Sequence, residues 1–513
     1  MLRERLGELE PWPLSGELGD FALPAAQPLP QSVIDAVGAE NVFDGHEDRL
    51  RHASGRGYAD LARMRLGRLE DAPDAVLMPP DTAALRRLLD ACAAAGVAVV
   101  PFGGGTSVVG GVEPLRGPHE RLISLDLGAL RSVSIDHRSL TARLGAGLRG
   151  PEAEAALARE GVTLGHFPQS FEYATIGGFA ATRSAGQASS GYGRFDGLVS
   201  SVRFQAPAGD LETLETPHTA AGPALRELVI GSEGVLGVIP DVTVRVRPAP
   251  PVRRYEAWIA ESFEAGAEIV RTLAQGPGVL GVIRVSDEEE TQGSLALSGP
   301  RGTSGRLFDR YLGLRGKRGG ALMIVGFEGG EESTARQRAL AVRALRGGGA
   351  AYLGQAAGRS WEHGRYQGPY LRDMLMGMGA MVETLETSHT WSRLGELHQR
   401  VSGAIADSLS AQGTPGLVWC HLSHAYADGA SLYFTFSARA RRGAELEQWR
   451  AVKQAACETI VACGATITHH HAVGRDHAPY MRAEVGETGL DVLRAVKAEL
   501  DPAGIMNPGK LLG

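Results

Sequence analysis

Long apolar runs, paired cysteines and a surplus of positive charge are all missing from this sequence, and each absence removes a class of protein. No run of ~18 apolar residues occurs, so no segment reads as a membrane span. The first twenty residues carry glutamate and arginine without an apolar core, which is not the pattern of a secretory signal. The four cysteines, Cys92, Cys420, Cys457 and Cys463, include no CxxC and no zinc-ligand spacing. They read as reduced thiols and point to a cytoplasm. The net charge of −7 gives no electrostatic basis for binding nucleic acid. There is no internal repeat and no low-complexity tract.

What is present is a chain of 513 residues, 43% hydrophobic and 22% charged, enough for about two to three soluble domains. Glycine is abundant, and three glycine-rich stretches organise the chain. The first is Val99-Val100-Pro101-Phe102-Gly103-Gly104-Gly105-Thr106-Ser107, running on to Gly110-Gly111. It follows a helical pattern over 82–95 and a short apolar strand over 97–100. Glycines let backbone approach a ligand closely, and freed N–H groups with two hydroxyls suit phosphate oxygens. A tight surface turn explains one such run equally well. No helix opens straight after it and no GK[ST] follows, so it is neither a Rossmann fingerprint nor a P-loop. The second stretch is Thr175-Ile176-Gly177-Gly178-Phe179-Ala180-Ala181-Thr182-Arg183-Ser184-Ala185-Gly186. The third is Gly231-Ser232-Glu233-Gly234-Val235-Leu236-Gly237-Val238-Ile239.

Around these runs the pattern is α/β from Asp74 on. Strands are expected at 75–78, 122–127, 141–144, 200–206 and 242–246, and helices at 82–95 and 151–160. A short helix is expected at 32–38. Pro248-Ala249-Pro250-Pro251 is a clear break. Beyond it, a helix at 263–273, a strand at 322–327 and a helix at 331–345 suggest an antiparallel sheet with helices on one face. Loops at 298–301 and 314–320 are expected to be exposed. The domain reading is an N-terminal arm at 1–60, a domain at 61–250 that holds the three glycine runs, a second domain at 251–460, and a C-terminal segment at 461–513 that returns to glycine- and histidine-bearing motifs.

Three groups of residues could carry chemistry. In His469-His470-His471-Ala472-Val473-Gly474, alternation along a strand would place His469 and His471 on one face. That gives an acid/base or phosphate-binding cluster; a metal site and a fortuitous surface run are the alternatives, although adjacent histidines make poor tetrahedral zinc ligands. Tyr426, in His424-Ala425-Tyr426-Ala427-Asp428-Gly429, is a proton shuttle if its phenol lies near cations, and otherwise a core tyrosine. Arg372, in Tyr370-Leu371-Arg372-Asp373, forks onto a phosphate or pairs with Asp373 on a helix face.

Three glycine loops in this order resemble the flavin-binding fold of the vanillyl-alcohol oxidase type, and the later motifs resemble the alkyldihydroxyacetonephosphate synthase family. That family carries His-His-His-Gly-Val-Gly where this chain has His469 to Gly474, with Ala472 replacing a glycine, and Tyr-Ile-Arg-Asp at Tyr370 to Asp373. Its Glu-Ser-Phe-Glu-Thr-Ser…Trp run is matched by Glu383, Glu386-Thr387-Ser388 and Trp391. The resemblance spans roughly residues 50–513. It implies an α+β chain: a two-part PCMH-type FAD-binding domain plus a cap of antiparallel sheet and helices. It implies flavin contacts from Pro101, Gly103, Gly104, Gly105, Thr106 and Ser107, from Thr175, Gly177, Gly178, Thr182, Ser184 and Ala185, and from Gly231, Glu233, Gly234, Gly237, Val238 and Ile239. Tyr426 becomes the acid/base, Arg372 the anion holder, and His469, His470 and His471 the charge stabilisers; Arg284, Glu386, Thr387 and Ser388 wall the substrate pocket. No metal is implied. The FAD is expected to be noncovalent, because no histidine stands in 101–107.

The family reaction uses flavin N5 as a nucleophile to exchange the acyl group of acyl-dihydroxyacetone phosphate for a fatty alcohol, with no net redox change. The partners implied are those lipids and a second copy of the chain, in a homodimer. The place implied is the cytoplasm, with contact to a membrane surface left open. The runner-up is an FAD-dependent 2-hydroxy-acid dehydrogenase of the D-lactate or glycolate type. Such enzymes carry Gly-Asp-Gly-Asn-Leu-His where this chain has Ala427-Asp428-Gly429-Ala430-Ser431-Leu432, which lacks the histidine. A flavin protein that sequesters a lipid phosphate without turnover is the third reading.

Overall fold

The computed structural model describes residues 5–14, 20–276, 280–299 and 302–512; Pro300 and Arg301 of the expected 298–301 loop lie outside the described residues. The chain divides into two units, each interleaved in sequence with the other.

The unit carrying the glycine runs comprises the described residues of Leu14–Gly186, Arg194–Pro248 and His470–Gly513. Its first sheet has four strands in the order Val42–Phe43, Ala75–Leu77, Arg121–Asp126, Val97–Phe102, the last three parallel. Helix Thr82–Ala95 covers it. Asp81 starts the helix by accepting the Ala84 N–H at 2.8 Å, and Gly96 ends it at φ +64°. Leu85, Leu88, Leu89 and Cys92 recur at helical spacing and pack against Val97, Val99, Ile123 and Leu125. The second sheet is antiparallel, in the order Val133–Asp136, Thr141–Gly145, Val238–Arg245, Val199–Ala206, Gly209–Glu212. Phe179, Phe195, Val202, Phe204, Val242 and Val244 fill its core. The C-terminal tail returns to the first sheet: Val99 N donates to Ile505 O at 2.8 Å, and Asp501 gathers the N–H groups of Ile505 and Met506.

The other unit comprises the described residues of Met1–Pro13, Gln187–Gly193 and Ala249–His469. Residues 5–13 therefore pack here and not with the rest of the N-terminal arm. Its antiparallel sheet has seven strands in the order Ala351–Gly354, Val252–Ala260, Ala321–Gly329, Val282–Ser286, Leu417–Ala425, Gly429–Arg439, Ala380–Thr390. Helix Trp391–Ala411 buries Leu394, Leu397, Val401, Ile405 and Leu409 on one face of the sheet, where its His398 ring lies near Phe434. The expected one-sided layer of helices is not what forms. Helix Gln355–Gly364 packs Trp361 against Tyr255 with the rings tilted, and helix Gly368–Gly377 reaches Thr384; both Tyr255 and Thr384 belong to the opposite face.

Candidate active site

The three glycine runs close on one another in space. A Cβ at Gly103 would stand 2.4 Å from Thr175 Oγ1, and one at Gly104 2.1 Å from the Tyr173 carbonyl. Gly231 N donates to Ala180 O at 3.0 Å, and a Cβ at Gly234 would lie 2.8 Å from Pro101. First meets second, second meets third, and third meets first, so backbone lines the junction where side chains would block it. Ser107 Oγ accepts the Gly111 N–H, and Thr175 Oγ1 that of Gly178. The tail closes the assembly: Asn507 Nδ2 donates to Glu233 O and Gly111 O, and Lys510 Nζ to Glu113 O at 2.9 Å. Of the expected flavin-contacting residues, Val238 packs in the hydrophobic cluster of the first sheet and Ile239 in that of the second.

Glu233 is buried and sits at φ +53°. Its two oxygens accept the N–H groups of Val473 and Gly474 at 2.8 and 2.7 Å, which ties the third glycine run to the loop that carries His470 and His471. Burial pushes its carboxyl up to about 7; the two amides and the Lys510 charge pull the other way. The loop is no strand, so the alternation expected along the histidines does not apply, and Ala472 takes a left-handed φ of 72°. Its carbonyl meets His477 Nδ1 at 3.0 Å. His166 stands behind the second run. Its Nε2 lies 3.0 Å from Ser184 Oγ and its ring lies between Phe179 and Phe195. Burial first, and His470 second, push it down to about 3, so it is neutral at physiological pH. His166 was not picked out from sequence; the only signal was its place just ahead of the second glycine run.

In the seven-stranded unit, Tyr426 occupies the turn between strands Leu417–Ala425 and Gly429–Arg439. Its N–H donates to Gly429 O and its carbonyl accepts Trp391 Nε1, so the turn is fixed on both sides. Its hydroxyl lies 2.7 Å from His469 Nε2. His469 is positioned in turn by Glu386, whose carboxylate accepts the His469 N–H and the Thr468 hydroxyl, both at 2.6 Å. The His424 ring stacks on His469 at 5.1 Å. A phenol on an imidazole, with a buried carboxylate orienting the imidazole backbone, is an arrangement able to move one proton.

Strand register gives this unit a polar face. Ser286 pairs His421, His421 pairs Tyr433 and Tyr433 pairs Glu386, and alternation adds Arg284 and Thr384 to the same side. Arg284 donates to Glu290 at 2.5 Å and meets His421 Nδ1 at 3.0 Å. The Glu290 carboxyl is pushed down to about 2 by Arg284 and His421, against burial. Arg284 is thus committed to an internal ion pair. Arg372 donates to Thr384 Oγ1 at 3.0 Å, and its charge works to lower the Tyr433 hydroxyl that burial raises. Thr387 is also engaged internally, donating to Thr466 O at 2.6 Å, while Ser388 is half-buried opposite Ser431. Glu383 faces the other way and accepts Trp449 Nε1.

Comparison with known proteins accounts for both units. A family model described as FAD binding domain matches residues 73–215, and one described as FAD linked oxidases, C-terminal domain, matches 249–511. The alkyldihydroxyacetonephosphate synthase of Trypanosoma brucei brucei is 34% identical over 475 residues, 90% of this chain and 77% of that one. The chain belongs to the alkyldihydroxyacetonephosphate synthase family. A second member of the synthase family, from Dictyostelium discoideum, is 32% identical over 90% of this chain and 77% of its own length. A solved alkyldihydroxyacetonephosphate synthase superposes with a TM-score of 0.85 at 27% identity, covering 99% of this chain and 91% of that one. Like the family, this chain has an α+β fold with an FAD-binding domain, and its glycine runs meet where a Cβ has no room.

Proposed function

We propose that this synthase-family chain exchanges the acyl group of acyl-dihydroxyacetone phosphate for a fatty alcohol, forming an ether lipid precursor with no net oxidation. The observation that carries the reading is the 2.7 Å contact between the Tyr426 hydroxyl and His469 Nε2, with His469 held by Glu386. FAD would be held noncovalently among the three glycine runs and would supply an electron-rich centre for the reacting carbon.

The chain's own residues do the rest. With its proton passed to His469 Nε2, the Tyr426 oxygen takes a proton from the reacting carbon. The fatty acid leaves as a carboxylate, the alcohol oxygen bonds to the carbon, and the Tyr426–His469 pair returns the proton it removed. The alcohol's own proton is released to solvent, balancing the charge of the departing carboxylate. Arg372, which donates to Thr384 Oγ1 on the polar face, forks onto the phosphate. His470 and His471 stabilise charge near the flavin, and Ser388 borders the substrate. Two copies of the chain assemble as a dimer in the cytoplasm, and the lipids are taken up at a membrane surface. Among the described residues no helix is long and apolar enough to cross a membrane.

The test is anaerobic mixing of the purified protein with a long-chain acyl-dihydroxyacetone phosphate and a fatty alcohol, followed by mass spectrometry and flavin absorbance. Ether product without flavin bleaching is the expected result. Absence of product, with bleaching by D-lactate or glycolate, would replace the reading with a hydroxy-acid dehydrogenase.

A further inference from the structure

Helix Gly368–Gly377 carries Arg372. It is ten residues long, marginal for an isolated helix. It buries Leu375 and Met376, whereas Tyr370, Leu371, Met374 and, just past its end, Met378 are 40–56% exposed. What fastens its C-terminal end is a segment from the far end of the sequence. Trp12 N donates to Gly377 O at 2.9 Å, satisfying a carbonyl in the last turn. Trp12 is 4% exposed, and the Arg442 guanidinium lies 4.6 Å from its ring centre. Leu6 packs in one cluster with Leu375, Ala380, Val382 and Leu417, joining the helix to two strands. The crossing point is made for this segment: Gly379 has φ +96°, and a Cβ there would stand 2.0 Å from Glu10 O. Arg5 adds an exposed ion pair to Glu289.

We propose that residues 5–13 form a strap, with Trp12 as its anchor, that sets the position of helix Gly368–Gly377 and so holds the Arg372 guanidinium over Thr384 and Tyr433. Trp12 is then a positioning residue for anion binding, acting through the helix and touching no substrate. The inference rests on the reading of Arg372 as the phosphate holder. A strap of this kind makes its effect on substrate affinity. The proton-transfer groups, Tyr426 and His469, are fixed by Trp391, Gly429 and Glu386 and do not depend on it.

The experiment compares the FAD-loaded full chain with Trp12→Ala and with a chain lacking residues 1–13. KM for acyl-dihydroxyacetone phosphate, kcat, flavin absorbance and amide exchange over 368–378 are measured, each with and without a synthetic peptide of residues 1–14. The expected result is a KM raised about tenfold or more, kcat within about twofold, unchanged flavin content, faster exchange over 368–378, and saturable rescue of the truncated chain by the peptide. Unchanged exchange overturns the proposal, as does a fall in kcat at constant KM. Should the truncated chain not fold, Trp12→Ala decides by the same readouts. Arg372→Ala runs in parallel: if its KM is normal, the phosphate reading has failed, and exchange and peptide rescue then decide whether the strap holds the helix.

Discussion

Replacing Glu233 by glutamine separates a structural carboxylate from a flavin ligand. The wild-type carboxyl titrates near 7 in the folded chain, against 4.5 for the ordinary side chain, because burial outweighs its two amide partners and Lys510. A folded pKa above the unfolded one means the folded state holds the proton more tightly. The stability this contributes is fully present below about 4.5 and is lost as pH rises through 7. Proton linkage over that interval amounts to about 3 kcal/mol. Glutamine has no such titration. It loses one acceptor for the Val473 and Gly474 N–H groups, a constant cost of about 1–3 kcal/mol. The stability difference between variant and wild type should therefore move in the variant's favour by about 3 kcal/mol between pH 5 and 8. In melting temperature that is on the order of 5–10 °C. Only the difference is informative, because Asp60, pushed up to about 7, and Lys510, pushed down to about 8, titrate in both proteins. Thermal melts at closely spaced pH values, with amide exchange at Val473 and Gly474, provide the assay. Melting curves that stay parallel from pH 5 to 8 would refute the reasoning.

Four further expectations follow from the geometry. Tyr426→Phe removes the hydroxyl on His469 and should lower ether formation by at least about a hundredfold while the bound flavin spectrum is retained; wild-type turnover would remove Tyr426 from proton transfer. Glu290→Gln should destabilise the seven-stranded unit by about 3–5 kcal/mol at pH 7, since it strands Arg284. Because the Glu290 pKa is depressed, its contribution is present above pH 4.5 and fades towards pH 2, so chemical denaturation should show the variant's deficit shrinking in acid. Gly104→Ala puts a Cβ 2.1 Å from a backbone carbonyl and should cost about 1–3 kcal/mol together with flavin retention, read by melting and by absorbance after gel filtration. Acid precipitation should leave the flavin in the supernatant, and a yellow pellet would show a covalent link.

Local pattern determined a good deal here. Helix Thr82–Ala95 was legible to the residue, because its cap, its apolar spacing and its terminal glycine are all short-range signals. One glycine run is ambiguous, but the three in order resembled a flavin-binding fold, and the FAD-binding family model matches the part of the chain that holds the first two. The strand assumed for His469 to His471 failed because alternation says nothing about which hydrogen bonds are available; Glu386, 83 residues away, takes the His469 N–H that a strand partner would need. Sequence marked Tyr426, but its partner nitrogen came from a segment 43 residues on. It named Arg372 as the anion holder and Arg284 as part of the pocket wall. Only the fold showed that Arg284 pairs with the buried Glu290, while Arg372 stands on a helix and donates to Thr384 on the polar face. Nothing in residues 5–13 hinted that they fasten that helix. Spacing and composition fix what a segment can be, whereas the neighbour that satisfies a buried donor or charge is chosen by tertiary packing, over distances the sequence does not display.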